Sequence, residues 1–199
     1  MENNNLHPIS DRLITKTEKD KLLGNKGMVF WLYGLSGSGK STLAVEMEKR
    51  LHKKGTHSVV LDGDNLRSGL NKDLSFSDHD RDENVRRVSE VAKLLSHNGI
   101  VVFVSLITPL RKFRENARRI IGDHYFQEVF VRASFGTCQK RDVKGLYAKA
   151  KEGLVPSFTG QGSDFEEPEN EQFLIDSEKE SEKTSSDKLF QFVLQSISL

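Results

Sequence analysis

Five short runs rich in apolar residues punctuate the chain, at 28–33, 57–61, 100–107, 128–133 and 172–175, each of strand length. Between them, segments 40–54, 81–97, 110–120, 134–142 and 185–197 carry apolar positions at helical spacing. Gly55, Gly99 and Gly122 stand where helix caps or turns belong. Strands that are largely apolar and separated by helices predict an α/β fold: a mostly parallel five-stranded sheet with helices on both faces. Residues 1–26 are polar with weak helical periodicity from Leu13 to Leu23, and are expected to form an arm laid on a single domain spanning 27–199. Segment 144–170 breaks the rhythm. It mixes Lys144, Lys149 and Lys151 with Gly145, Gly153, Gly160 and Gly162 and shows no core face, which predicts a lid.

Composition narrows the function classes. A chain of 199 residues is long enough to close one sheet between helical layers, and a net charge of +1 offers no uniform field for a long nucleic acid. Any anion site must therefore be local. The single cysteine, Cys138, forms no intrachain disulfide and no metal-binding pair. No apolar run approaches the roughly 18 residues a membrane helix needs, and the polar start lacks a signal-peptide core. A cytoplasmic protein without membrane contact is expected.

The strongest chemical signal follows the first strand. Gly34, Leu35, Ser36, Gly37, Ser38, Gly39, Lys40, Ser41 and Thr42 match the pattern G-x-x-x-x-G-K-[ST], placed after a strand and opening a helix. Glycines let successive N–H groups turn inward toward phosphate oxygens, and the helix N-terminus adds its positive dipole end. Lys40 is expected to reach the β- and γ-phosphates of ATP, and Ser41 to bind Mg²⁺.

At the tip of the second strand stand Asp62, Asp64 and Arg67, where open α/β sheets place their ligands. An aspartate there can accept a proton from an attacking hydroxyl or help hold Mg²⁺, and an arginine can clamp an anionic acceptor; a short helix cap accounts for one acid but not for both. Further on, Asp80 and Asp82 read as first-turn partners of the helix dipole. Arg81 and Asn84, three apart, share a helix face that either meets one anion or is simply solvated.

Taken together, the motifs resemble the adenylylsulfate kinases. The blocks that carry the likeness are G-L-S-G-S-G-K-S-T at 34–42, D-G-D-N-L-R at 62–67, G-L-N-K-D-L-S-F-S at 69–77 and D-R-D-E-N-V-R-R at 80–87. S-L-I-T-P at 105–109, R-D-V-K-G-L-Y-A-K-A at 141–150 and F-T-G at 158–160 complete them, in the family's order. The resemblance implies a P-loop kinase fold and phosphorylation of the 3′-hydroxyl of adenosine 5′-phosphosulfate by ATP·Mg²⁺. It casts Asp64 as the group that takes the hydroxyl proton, with a share in holding the metal, and Arg67, Arg81 and Asn84 as phosphosulfate contacts. Phe76 and Phe158 are similar to the family's two rings around the acceptor adenine; Asp62, Ser105 and Ile107 look like further acceptor positions. Lys144 and Leu146 match the lid, Lys144 as a catalytic cation, while Cys138 and Arg141 resemble contacts to the ATP adenine. A homodimer and a functional link to an ATP sulfurylase are also implied. Two rivals stay open on the residues: a P-loop kinase for another small alcohol, and an ATP-binding paralogue without turnover. A GTPase is disfavoured, since Asn71-Lys72-Asp73 sets its aspartate one place too early for the guanine-reading pattern.

Overall fold

A computed structural model describes residues 7–154, 158–160, 162–170 and 172–199. The expected lid residues 155–157 and 161 lie outside the described residues, as do residues 1–6 of the expected arm.

After a 3₁₀ turn at Ser10–Arg12 comes helix α1, Lys16–Leu23, then strand β1, Val29–Tyr33, and helix α2, Lys40–Lys53. Strand β2 (Ser58–Asp62) leads into a short helix α3 (Gly63–Arg67) and the long helix α4 (Asp78–Ser96). Strand β3 (Val101–Ser105), helix α5 (Arg111–Ile121), strand β4 (Phe126–Arg132) and helix α6 (Phe135–Arg141) follow. Helix α7 (Leu146–Lys151) and the two-residue strands β5 (Phe158–Thr159) and β6 (Gly162–Ser163) occupy the expected lid; strand β7 (Leu174–Asp176) and helix α8 (Glu182–Ile197) close the chain. The five-stranded sheet runs β2-β3-β1-β4-β7 and all its pairings are parallel.

Alternation along β1 shows how the layers form. Phe30 and Leu32 face α2 and α8, packing with Leu43, Met47, Leu51, Leu189 and Val193. Val29, Trp31 and Tyr33 face α4 and α5, packing with Val85, Val88, Phe113, Ala117 and Ile121. Every β1 side chain is buried, as a central strand covered on both faces requires.

Several boundaries differ from the sequence expectation, for local reasons. Helix α4 starts at Asp78, not 81, because Ser77 caps it, its hydroxyl accepting from the Asp80 N–H at 3.1 Å. The third strand stops at Ser105, short of 107, and its continuation turns at Thr108, whose φ is 42°. Helix α1 buries no apolar residue. Leu13, Ile14 and Leu22 are exposed, and the helix docks through Asp20, whose carboxylate accepts from Gly27 N–H at 2.9 Å and pairs with Lys16 at 2.6 Å.

The expectation that 144–170 lacks a core face is corrected. Tyr147 and Phe158 are buried with Ala133 and Cys138 in a small third cluster, with Leu35, Phe135 and Leu146 against it. Its members come from four separate stretches of chain, so no local periodicity announces it.

Candidate active site

All parallel strands end on one edge of the sheet, and the loops beyond β1, β2, β3 and β7 surround one cavity of about 1020 Å³. The loop after β1 is set by close packing: a Cβ on Gly34 would lie 2.3 Å from the Val131 carbonyl oxygen, so only glycine lets it pass β4. Helix α2 then begins at Lys40, and its first turn, Lys40, Ser41 and Thr42, lines the cavity with the N-terminal end of the helix. Lys40 is buried and folds back on the loop, donating to the carbonyls of Gly34 at 3.0 Å and Leu35 at 2.8 Å. Burial pushes its ammonium down to about 8. The Ser38 hydroxyl is buried at the cavity wall with no hydrogen-bond partner among the described residues, a fit for a phosphate oxygen.

Ser41 meets the second strand. Its hydroxyl donates to the Asp62 carboxylate at 2.7 Å and lies 3.0 Å from the Ser105 hydroxyl, so α2, β2 and β3 converge on one polar point. The other Asp62 oxygen accepts from Asp64 N–H at 3.1 Å and thereby caps α3. Asp64 also lines the cavity and forms an ion pair with Lys144. The carboxylate within reach of Ser41 is thus that of Asp62, whereas Asp64, expected as a metal ligand, pairs with Lys144 of the expected lid.

Two arginines build the opposite wall. Arg67 donates to the carbonyls of Leu74 at 3.1 Å and Ser75 at 2.9 Å, and its guanidinium lies 4.2 Å over the Phe76 ring. Arg81 donates to Phe76 O at 3.0 Å and to Thr159 Oγ1 at 3.0 Å, tying the loop that carries Phe76 to strand β5. Burial lowers the pKa of both, and Arg81 lowers that of Arg67 further, because the two like charges share the wall. Such a pair favours an anion between them. Asn84, buried on α4 beside Arg81, accepts from Asn71 Nδ2 at 2.9 Å. Asp80 accepts from Ser75, which pushes its carboxyl down to about 2 and pins the loop that carries Phe76.

Ile107 and Leu146 line the cavity with these residues. Phe76 and Phe158 line it too, but each ring has its own partner. Phe76 is largely exposed under Arg67, while Phe158 is buried with its edge against Tyr147, centroids 4.8 Å apart. Arg141 donates to Gly37 O at 3.2 Å and to Ser177 O at 2.6 Å, beside the loop. Cys138 does not line the cavity. It is fully buried behind Gly37, whose added Cβ would meet the Cys138 carbonyl oxygen at 3.3 Å, and burial pushes its thiol pKa up.

Sequence reasoning assigned no role to three residues that assemble the site. The Tyr147 hydroxyl donates to Ser36 O at 2.8 Å and so latches α7 to the phosphate loop. Asp142 accepts from the N–H groups of Tyr147 at 3.0 Å and Ala148 at 3.1 Å, starting that helix. Ser177 donates to Ser38 O at 2.7 Å. Asp142 and Tyr147 both lie inside the 141–150 block, where Tyr147 stands out as an aromatic among lysines; Ser177 lies outside every such block and announces nothing in sequence.

A family model described as adenylylsulphate kinase matches residues 26–176. An adenylyl-sulfate kinase of Bacteroides fragilis strain YCH46 is 47% identical over 197 residues, covering 99% of this chain and 98% of that protein. A probable adenylyl-sulfate kinase of Bacillus subtilis strain 168 is 44% identical over 185 residues, 93% of this chain and 94% of that one. Among solved structures, an APS kinase of Mycobacterium tuberculosis in complex with AMPPNP and APS superposes with a TM-score of 0.78 at 43% identity, covering 86% of this chain and 97% of that chain.

Proposed function

Since the chain belongs to the adenylylsulfate kinase family, we propose a residue-level account of how it carries out that family's reaction. The activity is phosphorylation of adenosine 5′-phosphosulfate by ATP to 3′-phosphoadenylylsulfate and ADP, a step of sulfate assimilation. The observation that supports the residue roles is that Lys40, Ser41, Asp62 and Asp64 line the same cavity as the Arg67–Arg81 wall.

ATP lays its phosphates on residues 34–42, where Lys40 exchanges its two loop carbonyls for phosphate oxygens and Ser38 donates its hydroxyl. Arg141 flanks the nucleotide, and Cys138 supports the loop from behind. Ser41 and Asp62 supply a hydroxyl and a carboxylate 2.7 Å apart, a donor set suited to Mg²⁺, which takes one or two carboxylates and fills its octahedron with water and phosphate oxygens. Bound there, the ion would neutralise charge on the transferred group.

Arg67, Arg81 and Asn84 hold the phosphosulfate, and the exposed ring of Phe76 receives the adenine, with Phe158 on the lid side. Asp64 accepts the proton of the 3′-hydroxyl as its oxygen attacks the γ-phosphorus and the β–γ bridging oxygen leaves with ADP. Lys144 must release Asp64 as the hydroxyl arrives, and the freed ammonium is then available to the transferring phosphoryl group. A homodimer, a cytoplasmic setting and supply of the acceptor by an ATP sulfurylase belong to the same reading, on the strength of the family. Among the described residues no helix is long and apolar enough to cross a membrane, which is compatible with it.

Asp64→Asn tests the proton step. It keeps size and removes the basic oxygen, so turnover should fall by about 10²–10⁴-fold while affinity for a non-hydrolysable ATP analogue stays within about twofold. Unchanged turnover would sink the assigned role.

A further inference from the structure

Arg114, on α5, is a buried cation whose hydrogen bonds among the described residues all go to the main chain. Its residue is 3% exposed, and its guanidinium lies 4.6 Å over the Tyr33 ring. One nitrogen donates to the carbonyls of Thr108 at 2.9 Å and Pro109 at 3.3 Å; the other donates to Glu166 O at 2.8 Å. Taking a guanidinium out of water is costly, and its burial is reflected in a lowered pKa. A fold that keeps it there without giving it a carboxylate to bond is using it to hold backbone.

The backbone it holds is strained and sits at the site. Thr108 has φ 42°, a left-handed conformation unfavourable for a β-branched residue. Its hydroxyl accepts from Trp31 Nε1 at 2.9 Å, so the turn is fixed from the sheet side as well. One residue earlier, Ile107 O accepts from Gly34 N–H at 3.3 Å, which joins this turn to the phosphate loop. Ile107, Thr108 and Pro109 all line the cavity. On the far side, Glu166 N–H donates to Pro109 O at 2.8 Å, and the Glu166 carboxylate accepts from Arg111 N–H at 2.7 Å. The segment leaving the lid is therefore clamped to the same turn.

We propose that Arg114 is a positioning residue: its planar fork holds Thr108 in the left-handed conformation and ties it to Glu166, fixing the acceptor wall and the anchored end of the lid as one unit. The inference rests on the reading that this wall belongs to the acceptor. It predicts an effect on the acceptor with little on ATP, because the phosphate loop keeps its packing against Val131 and its Arg141 contact.

Arg114→Lys retains charge and stem but loses the fork that spans the two segments. The KM for adenosine 5′-phosphosulfate should rise about tenfold while the KM for ATP stays within about twofold. Thr108→Asn, added to that variant, should recover at least about threefold of the acceptor KM, since asparagine enters the left-handed region more readily than a β-branched residue and keeps a side-chain oxygen for Trp31 Nε1. Equal rises in both KM values tracking a drop in Tm, or no recovery on adding Thr108→Asn, would overturn the proposal. Arg81→Ala separates the two levels of claim. If it leaves the acceptor KM unchanged, the acceptor wall itself is misassigned; if it raises that KM and Arg114→Lys does not, only the role of Arg114 fails. Should Arg114→Lys not fold, hydrogen exchange of the native chain decides: the amides of residues 106–108 and 110 and those of 164–167 should open together, and independent opening would refute the unit.

Discussion

Lys144 and Asp64, 80 residues apart in sequence, form an ion pair across the cavity mouth, joining the lid to the tip of β2. Both side chains are substantially exposed, at 49% and 68%, so the pair adds little to stability. Its consequence is positional: the lid cation rests on the group proposed to take the acceptor proton. Lys144→Met should shift Tm by no more than a degree or two, yet lower kcat by about tenfold or more. Thermal melting and steady-state ADP release on the same preparation check both halves.

Lys40 supplies a pH prediction. Its ordinary value is 10.5 and burial brings it to about 8 in the folded chain. Between those values the unfolded chain binds the extra proton, so this group's contribution to stability rises with pH across the window. Affinity for ATP moves the other way. Above pH 8 the free site has lost the charge that phosphates require, and binding must recover a proton. At pH 9, ATP affinity should be lower than at pH 7 by about tenfold, with net proton uptake on binding. Isothermal calorimetry in two buffers of different ionisation enthalpy measures this, and Lys40→Met should abolish the uptake.

Tyr147 tests the latch between α7 and the phosphate loop. Tyr147→Phe keeps the ring contacts with Phe135 and Phe158 and removes the hydroxyl, with its bond to Ser36 O and its contact with the Cys138 thiol. The expected loss is about 0.5–1.5 kcal/mol of stability. Acceptor-independent ATP hydrolysis should increase, because a looser lid admits water. Urea denaturation and ADP release without acceptor read the two effects.

The sheet and its helices were legible because β1 to β4 are apolar runs and α2, α4, α5 and α8 have one apolar face each. The phosphate loop was legible because its backbone geometry demands glycines at fixed places. What local pattern could not show was the cluster of Ala133, Cys138, Tyr147 and Phe158. Phe158 looked isolated among polar neighbours, and its apolar company arrives only when α6 and α7 fold over the loop. Likewise, two aspartates two residues apart are equivalent in sequence; the turn into α3 sends Asp62 to Ser41 and Asp64 to Lys144. The strained Thr108 and the arginine that holds it also depend on contacts from distant segments.

The central claim is that Arg67 and Arg81 form the wall that reads the acceptor's phosphosulfate, facing the nucleotide loop across one cavity. The most direct measurement is steady-state ADP release by the wild-type chain and by Arg81→Ala, with adenosine 5′-phosphosulfate, with AMP and with no acceptor, product mass confirmed. The account predicts that the wild type turns over the phosphosulfate with a kcat/KM at least about a hundredfold above that for AMP, and that Arg81→Ala loses about tenfold or more through KM for the phosphosulfate with ATP KM unchanged. Equal use of AMP by the wild type, or an Arg81→Ala variant indistinguishable from it, would contradict the account.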